Sequence, residues 1–198
     1  MLKINNLSLR YKNQEWIFSG ANLEIAAGVW LLEGDNGSGK STLLQYIYQG
    51  GIDKYKQFEL GGDSTCEISG NMIFLDNKTN IPNVTEKDCA KFIFKINDIK
   101  VNDYEPIYDG RKLGLYSTGE QKIAILNIIS YLNPEILLLD EFISNFDDEN
   151  LEFAFRIINY MSKKGTIVIV ASNEKDIKER FSNHCMIEDK KLILFEVK

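Results

Sequence analysis

The sequence is poor in cysteine and histidine, and it contains no long apolar run. Its 198 residues include three cysteines and one histidine, and Cys66, Cys89 and Cys185 have no spacing typical of a metal site or a redox motif. They are predicted to be free thiols in a reducing compartment. No segment approaches the about 20 apolar residues that cross a bilayer, and the N-terminal MLKINNLSLRY lacks the apolar run of a signal peptide. A function at a membrane would therefore need a second chain that spans it.

Basic residues are fewer than acidic ones, and this bears on the class of partner. Lys and Arg number 23 against 29 Asp and Glu, so the formal net charge is −6, and no dense basic block occurs. A nucleic-acid partner is therefore not expected. The hydrophobic fraction of 44% and the charged fraction of 26% are those of an ordinary globular protein. The sequence has no internal repeat and no low-complexity linker, so we expect one domain over residues 1–198.

Alternating or continuous apolar residues predict strands, and apolar residues at helical spacing predict helices. Strands are expected in LKINNLSLRY, NLEIAAG and GVWLLEG, over 58–75, in EILLLDE and GTIVIVAS, and in a final pair over 184–197. Helices are expected at KSTLLQYIY, over about 85–96, after YSTGEQ, over 148–163 and, as a short polar helix, after GTIVIVAS. This alternation predicts an α/β fold with a parallel sheet, an N-terminal antiparallel β portion and a small helical region.

The helix predicted over about 85–96 is expected to begin at a cap formed by Thr85 with Asp88. Its apolar residues recur at helical spacing and are expected to share one buried face. The residues predicted on that face are Cys89, Phe92, Ile93 and Ile96.

Residues 34–41, GDNGSGKS, fit the pattern G-x-x-x-x-G-K-[ST] and lie between a predicted strand and a predicted helix. The glycines let the backbone curl with its N–H groups inward, and the helix N-terminus adds partial positive charge. Lys40 can reach the β- and γ-phosphates, and Ser41 can ligate Mg²⁺. The segment predicts a P-loop NTPase core that binds a nucleoside triphosphate with Mg²⁺. The residues expected to bind the nucleotide are Asn36, Gly37, Ser38, Gly39, Lys40, Ser41 and Thr42.

Two adjacent carboxylates, Asp140 and Glu141, end the predicted strand ILLLDE. The carboxyl ends of parallel strands form the ligand crevice of such sheets. A carboxylate there can hold Mg²⁺ while its neighbour orients or deprotonates the attacking water. Such a pair can also simply begin a helix, but together with the phosphate loop it predicts ATP hydrolysis.

The stretch YSTGEQ, residues 116–121, directly precedes an apolar helical run. Ser117 with Glu120 three residues later is the pattern of a capping box. The small and flexible residues between them leave a second interpretation, in which the exposed N–H groups of this helix start bind an anion. The two interpretations are compatible.

In the order of these motifs the chain resembles the nucleotide-binding domain of the ATP-binding cassette (ABC) family over nearly its full length. The order is the phosphate loop, YSTGEQ, ILLLDE and then SNFD at 144–147. Ser117 and Gly119 match the serine and second glycine of the family's signature, whereas Thr118 stands at its first glycine and Tyr116 at its leucine. The resemblance implies a head-to-tail dimer, homomeric or heteromeric, with ATP bound between the subunits. Each ATP would meet Lys40 and Ser41 of one chain and a segment of the other, made of Ser117, Thr118, Gly119 and Glu120.

The resemblance also implies an aromatic residue stacked on the adenine. Tyr11 matches the family position, with Trp16 as the alternative. Asp147 would lie near the two-fold axis and connect the two ATP sites, or it would only cap the helix over 148–163.

Two positions depart from the family pattern. Asn77 is the nearest match to a glutamine that contacts Mg²⁺ and the attacking water in the family, or it is a simple turn asparagine. Asn173 stands where the family has a histidine that binds the γ-phosphate. Asn173 can donate a hydrogen bond but cannot carry positive charge, so we expect attenuated hydrolysis. His184, the only histidine, lies downstream and is predicted to be structural.

The resemblance divides the chain into a catalytic core over about 1–76 and 117–198 and a reduced helical subdomain over about 77–116. It implies a cytoplasmic subunit, peripheral to the inner face of the cell membrane, that powers a separate transmembrane transporter subunit. Export is expected, and the partner's groove is expected near 77–108, where NDYEPIYDG could present exposed aromatics or be an ordinary loop. The alternatives are a soluble cassette ATPase acting on proteins, and a nucleotide sensor with little hydrolysis.

Overall fold

The computed structural model describes residues 1–52, 54, 56–68, 70–100, 103–108, 110–174 and 176–196. Strands and helices alternate along this part of the chain much as the apolar pattern predicts. The strands are β1 (Leu2–Tyr11), β2 (Phe18–Ile25), β3 (Gly28–Glu33), β4 (Phe58–Leu60), β5 (Thr65–Glu67), β6 (Met72–Asp76), β7 (Ile136–Asp140), β8 (Ile167–Ala171), β9 (Asn183–Glu188) and β10 (Lys191–Glu196). The helices are α1 (Lys40–Tyr48), α2 (Glu86–Ile96), α3 (Thr118–Ser130) and α4 (Asp148–Lys163), with 3₁₀ turns at Leu113–Leu115 and Lys178–Arg180.

The larger sheet has the strand order β10-β9-β3-β8-β7-β6, and its strands are parallel except for the β9–β10 pair. The smaller sheet, β2-β1-β4 with β5 also on β1, is antiparallel. The predicted α/β class, with its parallel sheet and N-terminal antiparallel portion, is confirmed. Because β3, β6, β7 and β8 run in the same direction, their carboxyl ends meet at one edge. That edge carries the phosphate loop and the carboxylates.

The centre of the larger sheet is its most deeply buried part. β8 is buried along its whole length and β7 up to Leu139, which is why both read as unbroken apolar runs. α4 begins and ends where the sequence predicts, and it buries an apolar face that includes Leu151, Ala154, Phe155 and Ile158. The short polar helix predicted after β8 is present in the described residues as a single 3₁₀ turn, Lys178–Arg180.

α2 begins at its predicted cap, where the backbone N–H of Asp88 donates to Thr85 Oγ1 at 3.1 Å. The prediction of its buried face is partly wrong. Cys89 is buried and Ile93 is half-buried, but Phe92 is 65% exposed and Ile96 is 64% exposed. The residues buried instead are Glu86, Ala90 and Phe94. Glu86 is fully buried among polar partners. The buried face of α2 therefore includes Glu86 and differs from the predicted apolar face.

The hydroxyl of Tyr46 gives a prediction about stability. Tyr46 lies in α1 and is fully buried, and its Oη has no hydrogen-bond partner among the described residues. A buried polar group without a partner costs about 1–3 kcal/mol. Tyr46→Phe is therefore expected to raise the free energy of unfolding by about 1 kcal/mol in urea denaturation. A decrease of that size would show that the hydroxyl is bonded after all.

Candidate nucleotide-binding site

The phosphate loop connects β3 to α1, and its glycines are required by its shape. Gly39 has φ +107°, and a Cβ there would lie 2.4 Å from Ile17 Cγ2. Gly37 has φ +80° with open space around it. Gly39 occupies the cap position of α1, and without a side chain it cannot cap the helix. The N–H groups of the first turn of α1 are therefore left for an anionic ligand.

Lys40 is buried over this loop, where its ammonium donates to the backbone oxygens of Gly34 at 2.7 Å and Asp35 at 3.2 Å. The adjoining cavity of about 400 Å³ is lined by six of the seven residues predicted to bind the nucleotide, with Tyr11, Gln14, Ile17, Glu141 and Asn173. The seventh, Ser38, has a buried Oγ without a hydrogen-bond partner among the described residues. Backbone N–H groups of a glycine-rich loop, together with the Lys40 ammonium beside it, suit the phosphates of a nucleotide.

Ser41 and Asp140 are the residues that would hold Mg²⁺. Ser41 Oγ donates to Asp140 Oδ1 at 3.0 Å. Burial raises the pKa of Asp140, the Ser41 hydrogen bond opposes this, and the charges of Glu141 and Asp76 raise it further. No cluster of three or more His, Cys, Asp or Glu that could hold a metal occurs in the described residues. Ser41 and Asp140 instead suit Mg²⁺, which takes one or two protein oxygens and completes its coordination shell with water and phosphate.

Glu141 lies next to Asp140 in a strained backbone conformation, with φ +52°. Both of its carboxylate oxygens accept hydrogen bonds, Oε1 from Asn173 Nδ2 at 2.6 Å and Oε2 from the hydroxyl of Ser144. The three side chains therefore form one group at the mouth of the phosphate loop. Sequence reasoning did not identify Ser144 as a site residue, although it begins the SNFD stretch.

Asp76 is another residue that sequence reasoning missed, and it is acidic. It ends β6 and is paired with Asp140 across the sheet, close enough for its charge to raise the Asp140 pKa. Its Oδ1 accepts from the N–H of Lys78 at 3.0 Å and holds a tight turn. Asn77 lies exposed in that turn. Its role as a Mg²⁺ ligand stays a prediction.

Tyr11 points toward the phosphate loop, where its Oη lies 3.2 Å from Thr42 Oγ1. Trp16 is held elsewhere, with the Arg10 guanidinium 4.6 Å from its ring centre, and it lines a neighbouring cavity rather than the one over Lys40. The placement is compatible with the choice of Tyr11 for the adenine. The stacking itself stays a prediction.

The capping box at the start of α3 is confirmed. Ser117 Oγ accepts from the N–H of Glu120 at 3.2 Å, and the N–H of Ser117 donates to Glu120 Oε2 at 2.8 Å. A Cβ at Gly119 would lie 2.8 Å from Asn150 Nδ2, so a larger residue there would displace the Asn150 side chain of α4. None of Ser117, Thr118, Gly119 and Glu120 lines the cavity over Lys40. Contact between this segment and that nucleotide site would need a second molecule.

Asp147 caps α4, as one of its two interpretations predicts, because the N–H of Asn150 donates to Asp147 Oδ1 at 2.8 Å. His184 is buried as expected for a structural residue. Its Nδ1 lies 2.5 Å from Glu33 Oε1 and its Nε2 3.0 Å from the backbone oxygen of Phe181. Burial alone would raise the pKa of Glu33, but hydrogen bonds from Lys178 and His184 outweigh it and hold the pKa below its ordinary value.

The aromatics of NDYEPIYDG do not form an exposed patch in the described residues. Tyr104 packs edge-on against Phe94 and Tyr131, and Tyr108 packs 4.8 Å from Tyr116. Residues 102 and 109 of NDYEPIYDG lie outside the described residues. A search of the described helices found none with the length and apolar character of a membrane span.

Comparison with known proteins identifies the class of this site. The family model described as ABC transporter matches residues 18–144. The energy-coupling factor transporter ATP-binding protein EcfA1 of Fusobacterium nucleatum is 28% identical over 202 residues, covering 90% of this chain and 76% of the relative. The teichoic acids export ATP-binding protein TagH of Levilactobacillus brevis is 30% identical over 175 residues, but the chain spans only 47% of its length.

Among solved structures, a dimeric ATP-binding cassette in a post-hydrolysis state, bound to ADP and Pi, superposes with a TM-score of 0.70. Its sequence identity is 19%, and the match covers 100% of this chain and 99% of the other. At that identity the likeness concerns the fold.

Proposed function

The chain belongs to the ABC transporter family, and we propose that it is an ATP-binding and ATP-hydrolysing subunit that powers a separate membrane-spanning subunit. One observation carries the proposal. Lys40 and Ser41 of one segment meet Asp140 and Glu141 of another: Lys40, Ser41 and Glu141 line the same cavity, and Ser41 Oγ lies 3.0 Å from Asp140 Oδ1. Phosphoryl transfer to water needs little more than this positioning of phosphate, metal and water.

In this proposal Lys40 and the N–H groups of the phosphate loop bind the β- and γ-phosphates. Ser41 and Asp140 would hold Mg²⁺, which would neutralise charge that develops on the phosphate oxygens. Glu141, kept in place by Asn173 and Ser144, orients the attacking water and takes its proton. Tyr11 supports the adenine.

The segment Ser117–Glu120 binds the γ-phosphate held by a second subunit, so ATP joins a head-to-tail dimer. The placement of this segment away from the chain's own cavity supports the need for a second copy or a homologous cassette subunit. Hydrolysis removes the shared phosphate, and the halves separate. The membrane-spanning partner would convert that movement into transport and hold this chain at the inner face of the membrane. Export stays our proposal for the direction: the name of the TagH relative agrees with it, whereas energy-coupling factor proteins such as the EcfA1 relative are of an importer type.

A sensor that binds ATP and hydrolyses it negligibly is the second candidate function. The observation in its favour is Asn173, whose neutral amide is already engaged with Glu141 at 2.6 Å. The rate of hydrolysis by the wild-type chain separates the two candidates.

The test is Lys40→Ala in the purified chain. Loss of the ammonium removes the charge that balances the phosphates, so ATP affinity is expected to fall by at least about tenfold and hydrolysis to be lost. Binding is measured by calorimetry and hydrolysis by phosphate release. Lys163→Met, an exposed lysine at the far end of α4, serves as the control and should behave as wild type. Equal ATP affinity in the wild type and Lys40→Ala would overturn the proposal.

A further inference from the structure

The nucleotide site is rich in negative charge before any nucleotide binds. Burial lowers the pKa of the Lys40 ammonium, while the nearby charges of Glu141, Asp140 and Asp35 act in the opposite direction. A nucleoside triphosphate brings several more negative charges into the same space. At short distances in a partly buried site, such repulsion is screened far less than in water. A second protein cation in this site would therefore reduce the repulsion and stabilise the bound nucleotide.

Lys178 provides a second ammonium beside the start of the phosphate loop. It lies in the 3₁₀ turn that follows β8 and lines a cavity of about 330 Å³ together with Gly34, Asp35, Asn36 and Asn173. Its charge helps to lower the pKa of Lys40, so the two ammonium groups share one electrostatic environment. The Lys178 side chain is 46% exposed, which leaves it free to move within the cavity.

The present partner of Lys178 would keep a hydrogen-bond partner if the lysine moved. Lys178 forms an ion pair with Glu33, a buried carboxylate at the end of β3. The other oxygen of Glu33 lies 2.5 Å from His184 Nδ1. His184 is itself buried and fixed on its far side, where Nε2 lies 3.0 Å from the backbone oxygen of Phe181. Moving Lys178 toward the cavity would therefore leave Glu33 with its contact to His184.

We propose that Lys178 binds the γ-phosphate of a nucleoside triphosphate. This contact would make the site prefer a triphosphate over a diphosphate. Lys178 supplies the positive charge that the neutral Asn173, in the same cavity, cannot carry. The inference rests on the proposed function of the site, because it assumes a nucleotide on the phosphate loop.

The experiment compares Lys178→Met with the wild type in binding to ADP and to AMP-PNP, a triphosphate analogue that resists hydrolysis. Calorimetry with Mg²⁺ gives both affinities. A charge-assisted hydrogen bond to phosphate is typically worth a factor of about ten or more. AMP-PNP affinity is expected to fall about tenfold, whereas ADP affinity should stay within about twofold. Lys178→Arg, which keeps the charge, should retain most of the preference for AMP-PNP.

Each remaining outcome has a separate meaning. Equal weakening of both nucleotides in Lys178→Met would make Lys178 merely a structural support of the loop and overturn the inference. Unchanged affinities would overturn it as well. Lys163→Met controls for the general loss of one positive charge. If Lys178→Met does not fold, a Lys178→Arg variant that binds AMP-PNP no better than ADP overturns the inference. Failure of the wild type to bind either nucleotide would instead overturn the proposed function.

Discussion

Glu141→Gln is expected to lower the turnover number of ATP hydrolysis by about 10²–10⁴-fold, the usual contribution of a general base. Glutamine has nearly the same shape but cannot take a proton from water. Its amide can still accept from Asn173 or Ser144, whose donors now bracket both carboxylate oxygens. The variant should therefore fold and bind ATP as the wild type does, and only the chemical step should be slowed.

The same variant should accumulate as an ATP-bound dimer, because hydrolysis is the step that separates the halves in the proposed cycle. Size-exclusion chromatography with and without MgATP measures this, and phosphate release measures turnover. Glu149→Gln, a nearby acidic residue in the exposed first turn of α4, is the matched control and should hydrolyse ATP normally. Turnover by Glu141→Gln within about threefold of an active wild type would remove Glu141 as the base. Wild-type turnover no higher than that of the variant would favour the nucleotide sensor.

The parts of this site that the sequence predicts are local ones. The phosphate loop consists of neighbours in sequence, and its glycines are explained by the conformations of Gly37 and Gly39 themselves. The capping box at Ser117 and the cap at Asp147 are likewise contained within four residues. Such patterns predict structure well because chain geometry alone brings the groups together.

Most of the residues that the sequence did not reveal depend on contacts between distant segments. Ser144 is the exception, because it lies only three residues after Glu141. Its contact accompanies the positive φ of Glu141, which no residue type at that position predicts. Asp76 approaches Asp140 only because β6 and β7 are paired in register. Lys178 meets Glu33, which lies 145 positions earlier in the chain. Apolar spacing misjudged α2 for the same reason, since a buried carboxylate, Glu86, is held by partners outside the helix.

Glu86 leads to the second prediction of large effect. Its carboxylate is fully buried in the first turn of α2. It accepts from Tyr104 Oη at 2.5 Å, from the N–H groups of Ile107 at 3.2 Å and Tyr108 at 2.7 Å, and from Asn127 Nδ2 at 2.9 Å. The hydrogen bonds of the Glu86 side chain thus join the segment 104–108 to both α2 and α3. Burial, and then the hydrogen bond and charge of Glu86, raise the pKa of Tyr104 well above its ordinary value, so this phenol remains a donor.

Glu86→Ala is expected to lower the free energy of unfolding by about 3 kcal/mol, because it leaves several buried donors without an acceptor. Urea denaturation measures the loss, and limited proteolysis should show earlier cleavage near residues 104–108. Glu105→Ala, an exposed acidic residue of the same segment, should change stability by less than about 0.5 kcal/mol. A loss below about 1 kcal/mol for Glu86→Ala would mean that water replaces the carboxylate at little cost.

The effect should extend through one ring contact to the segment Ser117–Glu120, the proposed signature. Tyr108, whose N–H is held by Glu86, packs 4.8 Å from Tyr116, and Tyr116 directly precedes Ser117. Loosening the segment 104–108 removes the support for the start of α3 while the phosphate loop, on another part of the sheet edge, is untouched. In a Glu141→Gln background, Glu86→Ala should therefore keep its affinity for ATP as a monomer and lose the ATP-dependent dimer. Dimer formation equal to that of Glu141→Gln alone would show that the signature holds its shape without Glu86.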